Sequence, residues 1–385
     1  MAFLLDKLFG APPEPIQPGV YHYQAPPDST IPYRLHLRIE QDGQGLLIVN
    51  AATVLHLNET AAAHAYEIVL GRELKTAAKT VARRYRVSKQ QAEQDQDTIR
   101  QRIVTLATFP DVDPVTFLGL DRSEPYAQQP SAPYRLDLAL TYELDPDGAL
   151  DPLARQRVDR ELNTDEWKQI MDLAWNAGVP HVVFTGGEPT RRKDLVELIQ
   201  HGEDLGQVTG VLTQAQRLAD SSYLEQMAQA GLDHLLVVLI PEDLKSREGL
   251  KQALESDIFT AVHLTISSTI WADIERQLNL LEGMGVTAVS LSTAEDSPEF
   301  FQVLEKAREM TALLDMDLIW DIPTPYSSSN PIAVELEEVP QGAGRAWLYI
   351  EPDGDVLPTQ GINEILGNIL RDPWEDIWQK ACSRS

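Results

Sequence analysis

From Tyr134 onward the chain alternates strand-like and helix-like stretches so regularly that few folds remain open to it. The runs "RLDLALT", "HVVFT", "VTGVLT", "HLLVVLI", "FTAVHLTI", "VTAVSLS" and "MDLIWDI" are separated by helical stretches such as "TDEWKQIMDLAWNAG", "SSYLEQMAQAG" and "IERQLNLLEGMG". Several of those helices end in glycine just before the next strand, the expected C-terminal stop. Repeated βα units build an α/β fold, a parallel sheet with helices outside, as an open doubly wound sheet or a full or partial barrel. In both, ligands sit at the carboxyl ends of the strands.

The flanks read differently. Residues 1–30 form a proline-rich, extended leader. Residues 31–110 read as a small α+β unit: "YRLHLRIE", a turn at "QDGQG", "LLIVN", then "TVLHLNETAAAHAYEIVLG" and two further helical stretches. A linker covers 111–133, the alternating region 134–341, and a last zone 342–385, where "RAWLYIEPDGDVLP" reads as two short strands around an Asp-Gly turn before a terminal helix. The opening "MAFLLDKLFG" reads as a frayed terminus or a short amphipathic docking segment.

Charge narrows the partners. With 59 acidic and 32 basic residues, the formal charge of −27 repels a phosphate backbone, so nucleic acid is not expected. The apolar runs are shorter than the ~20 residues of a membrane span and no signal peptide opens the chain, so a cytoplasmic protein is expected.

At the carboxyl end of the second strand of the alternating region stands "TGGEP", Thr185 to Pro189. Gly186 and Gly187 let the backbone approach a ligand closely, and Glu188 offers a carboxylate suited to an ammonium group. The same residues also suit a tight βα turn, with Pro189 leading into a helix capped by Thr190 or Asp194. Spacing leaves both readings open.

"VVFTGGEPTRRKDLVELI" closely resembles the GGEP loop and following helix of the radical S-adenosylmethionine (radical SAM) superfamily. "LDLALTY" resembles that family's first barrel strand and "LTQAQRLAD" its third. The stretch "YIEPDGDVLPTQGINEILGNILRDPWEDIW" resembles the SPASM-type or twitch-type extension of peptide-modifying members. Upstream, "LLIVNAATVLHLNETAAAHAYEIVLGRELKTAAKTVARRY" is similar to PqqD-like domains, which bind the leader of ribosomally made, modified peptides. The resemblance implies a partial (β/α)6-type barrel, preceded by a small winged-helix-like PqqD-type domain and followed by a β-hairpin-plus-helix extension. It also implies S-adenosylmethionine contacts from Gly186, Gly187, Glu188, Pro189 and Thr213, and a peptide partner with a modifying enzyme. In PqqD-like domains the peptide adds as a strand, which here points to "LLIVN" at 46–50 and the helices after Thr76; a domain that docks only on its own barrel is the other option.

The chain departs from that family where its chemistry is done. The family's C-x3-C-x2-C loop follows the first strand, and by register its thiolates fall near Leu144, Gly148 and Asp151. Thr359 stands where "LPCQG" would carry another cysteine, and Gln214 and Ala215 replace an Asn-Gly pair behind Thr213, which puts ribose contacts in doubt. The single cysteine, Cys382, cannot build a cluster, and leucine and glycine offer no ligand atom, so no [4Fe–4S] cluster is expected. The histidines show no metal-binding or HExxH spacing, and the acidic loop 143–166 lacks calcium spacing. The expectation is a catalytically degenerate scaffold or escort in peptide maturation. The alternatives are an enzyme that keeps S-adenosylmethionine for polar chemistry, with Glu188, Asp137 and Asp233 as its acids, and a cluster supplied in an unusual way.

Overall fold

In a computed structural model, the chain is described over residues 15–26, 29–31, 33–51, 53–108, 130–144, 157–158, 160–266, 273–293, 298–319, 340 and 342–383. It divides into two compact units, Met1–Ala127 with Asn176–Pro180, and Gln128–Trp175 with His181–Ser385.

The first unit is an antiparallel meander of β1 (Gly19–Gln24), β2 (Arg34–Ile39), β3 (Gly45–Val49) and β4 (Thr53–Leu57), paired in that order. Helices α1 (Glu59–Val69), α2 (Leu74–Tyr85) and α3 (Lys89–Thr108) follow. Alternation in β2 sends Leu35, Leu37 and Ile39 to one face, where they meet Leu47 and Val49 of β3. Ala62, Ala65, Ile68 and Val69 of α1 and Ile103 and Leu106 of α3 close this core. Asn58 starts α1 by accepting from the Ala61 amide at 2.9 Å.

Two strands escape the sequence reading. β1 lies in the stretch expected as an extended leader, and β4 in one expected to be helical. Their presence corrects the placing of a peptide strand beside "LLIVN": β3 is hydrogen-bonded to β2 on one side and β4 on the other, so it has no open edge. Among the described residues the outer strands of this sheet are β1 and β4.

The second unit is built on β5 (Arg135–Thr141), β6 (His181–Gly186), β7 (Val208–Thr213), β8 (His234–Val238), β9 (Phe259–Ile266), β10 (Ala288–Thr293) and β11 (Asp317–Leu318). Each pairs in parallel with its sequence neighbour. Between them run α4 (Thr164–Ala177), α5 (Leu195–Leu205), α6 (Ser221–Gln229), α7 (Leu244–Leu254), α8 (Ile274–Gly283) and α9 (Pro298–Leu313). Past the other edge, β12 (Trp347–Ile350) pairs in parallel with β5, and β13 (Asp355–Leu357) and β14 (Gly367–Asn368) continue antiparallel before α10 (Trp374–Cys382). Val183, Leu212, Leu236, Val238, Ala261 and Ala288, from successive strands, share one core cluster on one face of the sheet. This is an α/β fold with a parallel sheet whose ligand-bearing end is the carboxyl end of β5–β10. No helix among the described residues is long and apolar enough to cross a membrane.

Candidate functional site

The TGGEP loop leaves β6 and runs against the end of β5. The Gly187 amide donates to the Thr141 carbonyl at 2.7 Å and the Glu188 amide to the Glu143 carbonyl at 2.8 Å. That approach explains both glycines. A Cβ on Gly186, whose φ is +123°, would sit 2.1 Å from the Thr141 carbonyl oxygen, and one on Gly187 would sit 2.2 Å from that of Glu143.

Glu188 is fully buried. Its Oε1 accepts from the Thr190 amide at 3.1 Å, the Thr190 hydroxyl at 2.6 Å and the Thr213 hydroxyl at 2.7 Å. Its Oε2 accepts from the Gln214 amide at 2.8 Å. A carboxylate has about four lone-pair sites, so protein donors meet most of its capacity. Burial pushes its pKa up, against the pull of these hydrogen bonds. The carboxylate ties the carboxyl ends of β6 and β7 together.

Pro189 opens a 3-10 turn, Pro189–Arg191, capped by Glu188 itself. Arg217 donates to the Thr190 carbonyl and stacks 3.9 Å over Tyr223. Arg192 holds the Leu140 and Leu162 carbonyls at 3.1 and 2.9 Å and grips Asp194 at 2.9 and 2.7 Å. Asp194 sits at the start of α5 without a side-chain capping bond. Thr213 also accepts from the Ala215 amide at 3.0 Å, in a turn where Ala215 adopts φ +64°.

Of the expected site residues, Gly186, Gly187, Glu188, Pro189 and Thr213 converge at one place. The two other acids do not join them. Asp233 precedes β8 and accepts from the Thr209 amide at 2.8 Å, which puts it at the amino end of the strands. Asp137 lies in the third position of β5, fully buried, with Arg135 at 2.8 Å. Burial raises its pKa to about 6 although Arg135 opposes the shift. Of the three candidate acids, only Glu188 therefore stands at the carboxyl ends of the strands.

Leu144, the first cysteine-equivalent position, is half-buried just beyond β5. Gly148 and Asp151 lie outside the described residues. Thr359 is buried and accepts from the Trp347 indole N–H at 3.0 Å, so the hydroxyl has a local use.

Sequence reasoning missed a second buried network on the β5–β12 side. The Tyr142 hydroxyl donates to Glu351 at 2.8 Å, Arg157 contacts both Glu351 oxygens at 2.7 and 2.9 Å, and the Tyr349 hydroxyl lies 3.5 Å from that of Tyr142. Thr141 donates to Glu161 at 2.5 Å. Burial raises the pKa of Glu351 and pushes that of Tyr142 well above the usual phenol range. No motif announces these contacts.

The fold is an α/β, radical-SAM-like one, and the Radical SAM superfamily profile matches residues 145–239. Proteins named PqqA peptide cyclase are among its homologues. That of Bradyrhizobium diazoefficiens is 30% identical over 249 residues, covering 56% of this chain and 63% of the relative. That of Rhizobium meliloti is 26% identical over 321 residues, covering 74% and 79%. The chain thus spans just under two thirds of the length of the Bradyrhizobium relative. Among solved structures, Streptococcus suis SuiB bound to S-adenosylmethionine superposes with a TM-score of 0.60 at 16% identity, covering 93% of this chain and 88% of SuiB. SuiB bound to its precursor peptide SuiA gives 0.55 at 16% identity, covering 89% and 86%. At those identities the likeness is one of fold.

Proposed function

We propose that this chain is a peptide-binding scaffold or escort derived from a radical SAM peptide modifier, one that no longer performs cluster-dependent chemistry. What carries the reading is the donor set. A [4Fe–4S] cluster needs three convergent thiolates, and the only thiol in the chain, Cys382, is buried in α10. The segment leaving β5 offers Leu144 in place of the first ligand. The residues present do not fit the group, and no reaction step is routed through it. Support for a peptide partner comes from the peptide-cyclase homologues and from SuiB, solved with its precursor peptide. The first unit, read as PqqD-like, offers β4, paired only with β3 among the described residues, for strand addition, and a modifying enzyme is the natural recipient of the escorted peptide. Anaerobic reconstitution with iron and sulfide tests the reading: less than about one iron per chain and no reducible cluster signal is expected, and a stoichiometric cluster overturns it.

One observation favours a second reading, in which S-adenosylmethionine is retained for polar chemistry. The Gly187 carbonyl accepts no hydrogen bond from the described residues, so an ammonium group could be met by backbone while Glu188 serves its threonines. Calorimetry with S-adenosylmethionine decides: no heat at millimolar ligand removes this reading.

A further inference from the structure

One face of the sheet changes character along its strands. Its middle layer is apolar, from Val183 to Ala288, whereas β9 and β10 next present His263, Thr265, Ser290 and Ser292. His263 is fully buried, with Nδ1 3.1 Å from the Ser290 hydroxyl and Nε2 2.9 and 3.2 Å from those of Ser292 and Thr265. Burial lowers its pKa to about 3, so the ring is neutral, with one N–H and one lone pair.

That ring cannot satisfy three hydroxyls. If Nδ1 carries the proton, it donates to Ser290, and the Nε2 lone pair takes one hydrogen from Ser292 or Thr265. If Nε2 carries it, only the Ser290 hydrogen finds an acceptor. In either tautomer two of the three hydroxyl hydrogens stay unspent, and the three side chains make no further hydrogen bond within the described structure. Ser290 and Ser292 are buried and Thr265 is partly exposed, all at the carboxyl half of their strands, the ligand-bearing end of such sheets. Buried O–H groups without acceptors carry a desolvation cost that a bound acceptor removes.

The geometry points to a binding site at His263, Thr265, Ser290 and Ser292 for a neutral, amide-bearing ligand, a peptide segment whose carbonyl accepts from the spare hydroxyls and whose N–H donates to a hydroxyl oxygen. This deepens the peptide-scaffold reading and rests on it for the choice of a peptide. A cation is a poor match, because the ring is neutral and the Glu188 carboxylate is engaged by its own loop.

The test uses the full chain with 15N-labelled histidine, titrated with acetyl-trialanine amide to tens of millimolar and, separately, with S-adenosylmethionine. The peptide is expected to shift the His263 ring nitrogens saturably, and Ser292→Ala or Ser290→Ala to weaken that response about tenfold. No shift in the wild-type chain overturns the site, as does a shift that both alanine variants leave unchanged. A response to S-adenosylmethionine alone overturns the peptide assignment. Because iron content is not read, a chain that assembled a cluster would fail the scaffold reading while leaving this result standing.

Discussion

Two buried glutamates at the carboxyl ends of the strands solve the same problem differently. Glu188 is held by hydroxyls and amides with no cation in contact, and its donors come from two residues ahead and from the adjacent strand. Glu351 is held by Arg157 and Tyr142, which are 194 and 209 residues away in sequence. A carboxylate met by local neutral donors makes a motif that can be read; one met by a distant arginine makes a network that cannot. The first kind depends on close backbone geometry, the second on side-chain pairing.

That difference is broken most sharply at glycines. Gly186→Ala forces a Cβ to within 2.1 Å of the Thr141 carbonyl at φ +123°. Overpacking and left-handed strain together should cost about 4 kcal/mol, read as a lowered denaturant midpoint or loss of folded protein. Gly354, in the turn between β12 and β13, also has positive φ, but its nearest neighbour would lie at 3.3 Å, on the Asn368 side-chain amide and not on backbone. Gly354→Ala should cost only about 1 kcal/mol. Equal losses would mean that backbone approach is not what distinguishes the two sides.

A second contrast is pH. The pKa of Asp137, on β5, rises from 3.8 to about 6, chiefly through burial, against Arg135; Tyr349 pairs opposite it and His234 lies near Arg135. Between those values the folded state binds more protons than the unfolded one. Stability is therefore full below about pH 4 and falls as pH rises through 6, by about 3 kcal/mol in the limit. Asp137→Asn should flatten that fall in urea titrations at pH 4, 5, 6 and 7, and an unchanged slope would assign the titration elsewhere.

Much of the second unit was legible. β5, β7 and β9 have the bounds of the apolar runs that announced them, because parallel strands covered on both faces are apolar throughout. "MDLIWDI" yields only the two-residue β11 in the described structure. β1 was hidden by the prolines around it, and β4 by the helix-forming residues that follow "TVLHL". At the site, the loop was legible as a place but not as a mechanism of holding. Nothing in "GGEP" says that the glycines serve Thr141 and Glu143, or that the carboxylate serves Thr190 and Thr213. His263 was passed over because one histidine in an apolar strand looks like packing. Its signal was the pair of polar residues two apart on each neighbouring strand, His263 with Thr265 and Ser290 with Ser292, which parallel pairing brings to one face.

Smaller effects sharpen the same contrast. Glu188→Gln replaces an acceptor with an N–H₂ group facing protein donors, at a cost of about 2 kcal/mol. Glu351→Gln can keep an acceptor on Tyr142 or Arg157 and should cost about 1 kcal/mol, with added salt narrowing the gap between wild type and variant only at 351. Denaturant midpoints at low and high salt check both, and a salt-sensitive Glu188 would mean that an ionic partner holds it after all.

The smallest expected effect concerns Ala215, a fully buried residue at φ +64° behind Thr213. Glycine there would relieve about 1 kcal/mol of left-handed strain. It would also lose a buried methyl, about 0.8 kcal/mol, and release the unfolded chain by about 0.4 to 1 kcal/mol. These terms nearly cancel, so Ala215→Gly should change stability by less than about 1 kcal/mol. Ala174 is equally buried but lies within α4. Ala174→Gly relieves no strain and adds the helix penalty, so it should cost about 2 kcal/mol. Paired thermal melts compare them: a smaller loss at 215 means that the β7 turn imposes its backbone through Thr213, which caps the Ala215 amide, and through Gly249, where a Cβ would meet the Ala215 carbonyl at 1.8 Å. Equal losses would mean that the turn stores no strain, and that its alanine is an ordinary core residue.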